Sequence, residues 1–438
     1  MKEHFFELAD LLAHELHAGE VLLLNLSAEH SDFVRFNKGK VRQAGTVEQR
    51  ALSVHLVRAR RHAASTVSIA GNDDDLELAR AALSRLRDAL TDLPEDPWLL
   101  IAEQPRSTSS ERRGALAPAE AVVEQAVAAA QGRDLVGFHA GGTIYSGFAN
   151  SLGQRNWHEA DSFNFDWSFH AAPGQAVKSS YAGFDWDRAA FAERIDASAA
   201  QLARLATAPR RLEPGEYRAY LAPHALEELI GLLCWGGFSA RAHATRQSPL
   251  LRMANGNQLS PKVTLAENTA EGVAPGFQSE GFVKPANVTL IANGRLADAL
   301  VSPRSAKEYG LATNAANGGE SPESLDLAPG QLPPGDVLAA LDTGLYISNF
   351  WYLNFSDRAA GRITGMTRFA TFWVEGGRIA APVDPMRFDD SIYRMLGENL
   401  LELTSSRELL FDPSTYEERS TSTARLPGAL LRSLRFTL

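Results

Sequence analysis

The sequence predicts an α+β fold in which an N-terminal α/β region with antiparallel sheets and helices precedes a β-rich C-terminal domain. Three observations favour this class. A run of strands followed by a helix occurs twice before residue 206, and most segments beyond residue 215 alternate with period two. The length of 438 residues predicts two or three domains, and it is ample for a large apolar core.

The first strand-and-helix unit begins with a helix. Apolar residues at positions 5, 8, 9, 12 and 16 predict a helix that ends before Gly19. Residues 20–26 are typical of a short buried strand. Alternation over residues 32–69, interrupted by a turn at residues 37–40, predicts an antiparallel meander. Asp73 is placed to cap a helix that stops before Pro94.

The second unit begins after a polar segment, residues 104–114, which we expect to be an exposed linker or loop. An Ala-rich helix is bracketed by Pro118 and Gly132, because proline favours the first turn of a helix and glycine its end. Residues 135–184 alternate and are rich in aromatics, which predicts three or four strands. A helix is expected over residues 187–205.

A break that contains proline and glycine follows at residues 208–215. These boundaries predict three domains, 1–110, 111–210 and 211–438. Beyond the break we expect an apolar helix at 224–235 and strands at 216–221, 281–290, 296–301, 345–354, 365–375 and 378–383. A Gly/Pro/Ser-rich excursion over residues 314–335 is predicted to be a long surface loop.

Composition and charge limit the classes of function. With 43 basic and 53 acidic residues the net charge is −10, so we expect no nucleic acid and no anionic membrane as a generic partner. Residues 229–238 are the most apolar stretch and are too short to span a bilayer, and we expect no signal peptide. The single cysteine, Cys234, permits no intrachain disulfide and is predicted to be a buried small hydrophobe. Such cysteine usage suits a cytoplasmic location.

Few segments offer catalytic or metal-binding chemistry. The common phosphate-binding glycine loops and the G-x-S-x-G elbow do not occur in the sequence. His14 and His17 lie on the first helix, and we expect them to be solvated. His224 shares a helix face with Glu227 and Glu228, which leaves two interpretations open, a weak metal site and an ordinary N-terminal helical turn.

Polar and aromatic side chains are densest in residues 346–374. Strict alternation predicts two faces of a strand here, with Phe350, Tyr352 and Asn354 on one and Asn349, Trp351 and Leu353 on the other. One interpretation is a sandwich core with a satisfied polar corner. The other is a groove that pairs with an extended peptide, in which arginine binds a carboxylate or a carbonyl. The residues predicted to form that groove are Asn349, Trp351, Tyr352, Asn354, Asp357, Arg362 and Arg368.

The same stretch carries a family resemblance. The C-terminal region of the TldD/PmbA family of peptidases resembles the segment LYISNFWYLNFSDRAAGRITGMTRFATFWVEGGRIAAPVDPMRFDDS. The family's N-terminal hairpin resembles VRFNKGKVRQAG, and another of its passages resembles SEGFVKPANVTLIANGRLADALVSPRSAKEYG. These motifs occur in the family's order, and the resemblance extends from about residue 20 to residue 436.

The resemblance implies a TldD/PmbA-like α+β fold, a dimer and an interior cleft. In the family's TldD branch, an H-E-x-x-x-H helix and a late cysteine hold zinc, and that site cleaves peptides. The corresponding helix here reads ALEELIGLLCWGGF, without histidine between residues 225 and 242, and residues 419–425 contain no cysteine. In lacking these residues the chain resembles the PmbA/TldE-like branch, which has no metal site. We therefore do not expect this chain to catalyse hydrolysis by itself.

The resemblance therefore implies a non-catalytic subunit of a heterodimeric zinc metallopeptidase that processes unfolded or modified peptides. We expect no catalytic residue and no metal ligand in this chain, and we expect the zinc in a TldD-like partner. Two alternatives stay open. One is a homodimeric peptide-binding or scaffold protein without a peptidase role. The other is an independent hydrolase that uses His224, Glu227 and Glu228 or a serine or threonine.

Overall fold

A computed structural model describes residues 1–171 and 174–437. The N-terminal half, residues 1–205, consists in chain order of α1 (Lys2–Ala13), β1 (Glu20–Asn37), β2 (Lys40–Arg58), β3 (Arg61–Ser68), α2 (Asp74–Leu90), β4 (Thr108–Arg112), α3 (Ala119–Ala129), β5 (Asp134–Asn150), β6 (Arg155–His170), β7 (Ala176–Gly183) and α4 (Arg188–Leu205).

The C-terminal half, residues 215–437, is richer in strands. It consists in chain order of β8 (Gly215–Leu221), α5 (Pro223–Cys234), α6 (Ala240–Ala244), α7 (Leu251–Ala254), β9 (Leu265–Glu267), β10 (Val288–Ala292), β11 (Arg295–Leu296), α8 (Pro303–Tyr309), β12 (Ser324–Leu327), α9 (Val337–Leu341), β13 (Gly344–Asp357), β14 (Arg362–Glu375), β15 (Arg378–Pro382), β16 (Arg387–Ser391), β17 (Leu400–Leu403), β18 (Glu408–Phe411), β19 (Thr423–Leu426) and β20 (Ala429–Phe436).

One sheet organises the N-terminal half, with the strand order β3-β2-β1-β5-β6-β4 and with β7 also paired to β6. β1 and β2 form a long antiparallel hairpin that closes at Asn37 and Lys40. The two residues of its turn, Lys38 and Gly39, have φ values of 52° and 66°. Two consecutive residues with positive φ suit the right-handed twist of a hairpin, and glycine adopts this conformation without steric cost.

The two faces of this sheet have different neighbours. Residues such as Leu24 face α1 and α2 on one part of the sheet, and the aromatic residues of β6 face α3 and α4 on another part. The opposite face meets the C-terminal half. There Asn25 donates a hydrogen bond to the carbonyl of Ser279, and Ser31 accepts one from Arg419. The polar positions of the alternating pattern therefore lie partly at an internal interface.

The C-terminal half contains two sheets. In the first, β13 pairs with β8, β8 with β20, β20 with β16, β16 with β14, and β14 with β13, so the path of strands closes on itself as a five-stranded ring. The second sheet has the order β11-β10-β9-β12-β19-β18. The largest apolar cluster combines residues of both sheets with Leu226, Leu229 and Leu233 of α5. This burial fixes the position of α5 at the centre of the C-terminal half.

The predicted α+β class with a β-rich C-terminal region is confirmed, and most predicted elements are present with small shifts of their bounds. Three predictions are wrong. The segment 104–114 contains β4, which pairs in parallel with β6. The excursion 314–335 is not a surface loop throughout, because it contains β12 and the fully buried Glu320. Within 281–301, only β10 and β11 are strands.

The sheet of the N-terminal half extends from β1 to β7 and therefore crosses residue 110. The three-domain division stays a prediction. Cys234 ends α5 and is half-buried against the apolar cluster. No helix in the described ranges has the length and apolar character that crossing a membrane requires.

Candidate functional site

A cavity of about 470 Å³ lies between the two halves of the chain, and we call it the cleft. The N-terminal half contributes β7 and α4 to its wall, and the C-terminal half contributes the start of α5 together with β13 and β18. The polar and aromatic residues that line it include Lys178, Ser179, Glu193, Arg194, Gln201, Tyr220, His224, Tyr346, Ser348, Asn349 and Glu408. Such a recess between two packed layers is a common place for a ligand site.

The first turn of α5 forms one end of the cleft. Pro223 occupies the first helical position, and the N–H of Ala222 donates to the carbonyl of Ile347 on β13 at 2.9 Å. The Nε2 atom of His224 lies 2.8 Å from the hydroxyl of Ser180 on β7. Burial lowers the pKa of His224, so its imidazole is neutral near pH 7.

Glu227 and Glu228 follow on the next turn of α5. Both are half-buried, and neither carboxyl group has a hydrogen-bond partner in the part of the chain that the structure describes. Burial raises the pKa of Glu227 to about 7 and that of Glu228 to about 8, against the opposing field of Lys178. A protonated carboxyl group both donates and accepts a hydrogen bond, as a peptide group does.

β13 crosses the cleft as a bulged strand. Its register with β14 shifts between Ile347 and Asn349, which leaves Ser348 without a paired residue. Ser348 is 7% exposed and Asn349 is 2% exposed. Even so, Ser348 Oγ and Asn349 Oδ1 have no hydrogen-bond partner within the described ranges. An unpaired buried polar atom costs about 1–3 kcal/mol, so this pair marks a place where a ligand would be stabilised.

Part of the predicted groove is brought together beside the cleft. Asn349 on β13 pairs with Arg368 on β14, and the guanidinium of Arg368 lies 4.8 Å from the centre of the Trp351 ring. Of these three residues only Asn349 lines the cleft itself. The contact between Arg368 and Trp351 is a cation–π pair on the outer side of the hairpin.

The predicted strict alternation along this strand is wrong. Asn349 and its neighbour Phe350 are both buried, whereas Trp351 and Tyr352 are 48% and 80% exposed. The cause is a second register shift between Trp351 and Asn354, where Tyr352 has a φ of 58°. A bulge adds a residue to one strand and so reverses the direction of the side chains that follow.

The remaining predicted residues lie towards the tip of the β13–β14 hairpin and have local partners. The side chains of Asn354 and Asp357 accept hydrogen bonds from nearby backbone N–H groups at 2.8 and 2.9 Å. Arg362 forms a salt bridge of 2.5 Å with Asp389. These three predicted residues do not reach the cleft, and a role for them in peptide binding stays a prediction.

Sequence reasoning did not select Lys178, Arg194 or Glu408. Arg194 on α4 lies 3.2 Å from Glu408 on β18, and this pair joins the two halves across the cleft. Lys178 alternates with Ser180 along β7, on the face towards the C-terminal half. The sequence does contain one signal for Lys178. It is a charged residue in an otherwise buried strand, and such a residue needs a polar environment.

The donor atoms at the cleft do not fit a zinc ion. In residues 1–171 and 174–437, no group of three or more His, Cys, Asp or Glu side chains is arranged to hold a metal ion. The weak metal site considered for His224, Glu227 and Glu228 is therefore not formed there. Further along α5 the inward positions carry Leu229 and Leu233, which pack in the apolar cluster.

A known protein family resembles this chain in sequence, and known structures resemble it in fold. Residues 214–437 match the family described as the PmbA/TldA metallopeptidase C-terminal domain. No curated protein matches the sequence. TldE from Thermococcus kodakarensis is similar in structure, with a TM-score of 0.80 and 14% identity over 99% of this chain and 100% of that chain.

Two proposed modulators of DNA gyrase are similar as well. The protein from Thermotoga maritima has a TM-score of 0.79 and 14% identity, and the match covers 99% of both chains. The protein from Bacteroides thetaiotaomicron has a TM-score of 0.76 and 15% identity over 100% of this chain and 98% of that chain. At such low sequence identities, these similarities show a shared fold and nothing about activity. Because the family match includes more than half of the sequence, the chain belongs to the PmbA/TldD family.

Proposed function

We propose that this chain is a non-catalytic, TldE-like subunit of a zinc metallopeptidase complex, and that it holds an unfolded or modified peptide in the cleft. A TldD-like partner supplies the zinc and cleaves the peptide. The proposal includes a cytoplasmic location for the complex. It is supported by the family membership, by the likeness to TldE and by the sequence of α5, which offers no histidine pair.

The observation that carries the peptide-holding role is the unpaired, buried pair Ser348 Oγ and Asn349 Oδ1 in the wall of the cleft. A peptide in an extended conformation presents N–H donors and carbonyl acceptors at regular intervals. A backbone N–H can donate to the amide oxygen of Asn349. The hydroxyl of Ser348 either donates or accepts, so it suits both kinds of backbone group.

Glu227 and Glu228 lie one turn beyond His224 on α5 and are not among the described residues that line the cleft. With a pKa of about 8, Glu228 is mostly protonated at pH 7, so it adds little negative charge beside the cleft. The side chains of Tyr220 and Tyr346, whose rings are 5.4 Å apart, add apolar surface to the wall of the cleft. The cleft thus combines hydrogen-bonding groups with aromatic area, which suits a chain of varied sequence.

The direct test is co-expression with a TldD-like protein from the same source, followed by purification and measurement of mass in solution. We expect a stable heterodimer that cleaves unfolded peptides, whereas this chain alone should not. Full activity of the partner by itself, without a complex, would contradict the proposal. A stable homodimer of this chain that binds peptide and ignores the partner would support the homodimeric scaffold instead.

A pair of variants tests the cleft. Asn349→Leu removes the unpaired oxygen and keeps the side-chain volume, so peptide affinity should fall about fivefold or more while the complex still assembles. Asn354→Leu is the matched control, because Asn354 lies on the same strand towards the hairpin tip. Fluorescence anisotropy with a labelled peptide measures both variants. An equal effect of the two substitutions would argue against peptide binding in the cleft.

A further inference from the structure

A second cavity, of about 540 Å³, adjoins the cleft on the side of the N-terminal sheet, and we call it the basic cavity. Strands β1, β2, β5, β6 and β7 form its floor, and residues 413–415 of the C-terminal half form part of its rim. Lys178 lines both the cleft and the basic cavity. A chain that leaves the cleft along β7 therefore reaches the basic cavity directly.

Three cationic side chains line the basic cavity: Arg35, Arg42 and Lys178. In the described ranges, none of them lies within 4 Å of a carboxylate oxygen, although many other arginines of the chain form salt bridges. This concentration of unpaired positive charge stands out in a protein whose net charge is −10. The guanidinium of Arg35 also lies 5.8 Å from the centre of the Phe138 ring, which holds it over the cavity wall.

The acidic groups near the basic cavity offset part of the charge of Lys178, which lowers the pKa of Asp166, Glu227 and Glu228 against the effect of burial. Asp166 is the one carboxylate among the described residues that line the basic cavity, and it accepts a hydrogen bond from Asn164 at 3.1 Å. Asp412 lies close enough to Asp166 to raise its pKa further, beyond the effect of burial. The described residues of the lining therefore include three cationic side chains and one carboxylate.

We propose that the basic cavity binds a carboxylate of the peptide that lies in the cleft. Arginine binds carboxylates through two parallel N–H···O hydrogen bonds, and Lys178 adds a third donor at the junction with the cleft. The carboxylate is either the C-terminal group of the peptide or an aspartate or glutamate side chain. This inference rests on the proposed function, because it specifies which peptides the cleft prefers.

The test compares four labelled peptides that share one neutral core and bind to the full chain or its complex. One has a free C-terminal carboxylate, one has a C-terminal amide, and two amidated forms carry an internal glutamate or glutamine. We expect the amidated neutral peptide to bind about fivefold more weakly than the form with a free carboxylate. If the peptide with the internal glutamate binds more tightly than the one with glutamine, the basic cavity also accepts side-chain carboxylates.

Variants of the cavity complete the test. The double variant Arg35→Ala/Arg42→Ala should bind all four peptides with one affinity, and added salt should then have little effect. Arg85→Ala, an exposed arginine on α2 outside both cavities, is the control and should preserve the preference. Thermal unfolding of each variant confirms that it is folded, which is expected because Arg35 and Arg42 are exposed.

The outcomes separate this inference from the proposed function. If the wild-type chain binds charged and amidated peptides equally, and Asn349→Leu still weakens that binding, the basic cavity has no role and the peptide-holding cleft stands. A preference that survives in the double variant also overturns the inference. If none of the four peptides binds to the chain or its complex, the proposed function itself is wrong.

Discussion

Arg419 donates hydrogen bonds to both the carbonyl and the hydroxyl oxygen of Ser162, at 3.0 and 2.9 Å. The same guanidinium reaches Ser31 Oγ and the carbonyl of Gly142, each at 3.3 Å. Arg419 belongs to the C-terminal half but is 4% exposed, inside the sheet of the N-terminal half. It therefore joins the two halves.

Substitution of Arg419 by methionine should cost about 3 kcal/mol in the free energy of unfolding, because the buried oxygen atoms of strands β1, β5 and β6 lose their donor. Burial lowers the pKa of Arg419 to about 10, and an arginine still carries its charge at neutral pH. Urea unfolding at pH 7 measures the loss. Arg419→Lys should lose less, since it keeps the charge and some of the donors.

Arg304→Ala is the control for that substitution. Arg304 forms an exposed salt bridge of 2.5 Å with Asp96, and exposed pairs contribute at most about 1 kcal/mol. Equal losses for Arg304→Ala and Arg419→Met would show that the position inside the sheet has no special importance.

Glu320 should be a second buried charge that stabilises the C-terminal half. Its carboxylate accepts hydrogen bonds from Ser239 Oγ at 2.5 Å and from the N–H and hydroxyl of Ser302 at 2.9 Å. These serines cap the N-termini of α6 and α8. Glu320→Ala leaves the donors unpaired, so we expect a loss of about 3 kcal/mol in the free energy of unfolding at pH 7.

The effect of Glu320 should depend on pH. Burial alone raises its pKa, but the hydrogen bonds from Ser239 and its neighbours outweigh burial and hold the pKa below the ordinary value of 4.5. The stabilisation is therefore complete above pH 4.5 and is lost as pH falls through the lower, folded-state value. Unfolding measured from pH 7 to pH 3.5 should show the difference from Glu320→Gln shrinking in acid. A constant difference would contradict this assignment.

Glu227 and Glu228 should produce the opposite dependence on pH. Their pKa values of about 7 and about 8 lie above the ordinary 4.5, so the folded chain holds these protons more tightly than the unfolded chain. Stability is full below pH 4.5 and decreases as pH rises through 7 and 8. The double variant Glu227→Gln/Glu228→Gln should therefore be more stable than the wild type at pH 8.5 and equal to it near pH 4.5.

Melting temperatures across that pH range check the prediction. Glu124→Gln on α3 changes an exposed glutamate in the same way and should leave the pH dependence of the wild type unaltered. A double variant whose melting temperature differs from the wild type by the same amount at every pH would show that the two carboxyl groups titrate normally.

Arg368→Ala should reduce peptide processing by the complex more than it reduces stability. The cation–π contact with Trp351 is partly exposed and contributes about 0.5–1 kcal/mol, so the fold should survive its loss. The backbone of Arg368 pairs with that of Asn349, so its guanidinium lies beside the cleft, where it can bind a carbonyl of a peptide that extends past the cleft. Arg362→Ala, which breaks an exposed pair with Asp389, is the control. Equal losses of stability and of peptide processing for Arg368→Ala would indicate that Arg368 has a structural role, in a polar corner of the sandwich core.

The fold was predictable wherever the pattern was long and local. The alternation of β5 and β6 and the apolar face of α5 identify those elements without knowledge of their partners. β17, β18 and β19 were not predicted individually. Each has four residues and exists because distant strands pair with it, as β12 does with β19. Such short strands carry almost no periodic signal of their own.

The site was predictable only in part, for a similar reason. Asn349 was selected from its sequence context and does line the cleft. Its neighbours Trp351 and Tyr352 were placed by strict alternation, and a bulge that depends on pairing with β14 redirected them. Lys178 and Glu408 are 230 positions apart in the sequence, and only the packing of the two halves brings them to one cavity.

The five-stranded ring of the C-terminal half closes through β20, which pairs with β16 on one edge and with β8 on the other. β8 and β20 are separated by more than 200 residues of sequence. While the chain emerges from the ribosome, β8 has only β13 beside it, and the apolar interior of the ring stays open to water until residues 429–436 have been made. Assembly of this half must therefore wait until residues 429–436 have been made, and a nascent chain stalled before residue 429 would be a target for chaperones and proteases.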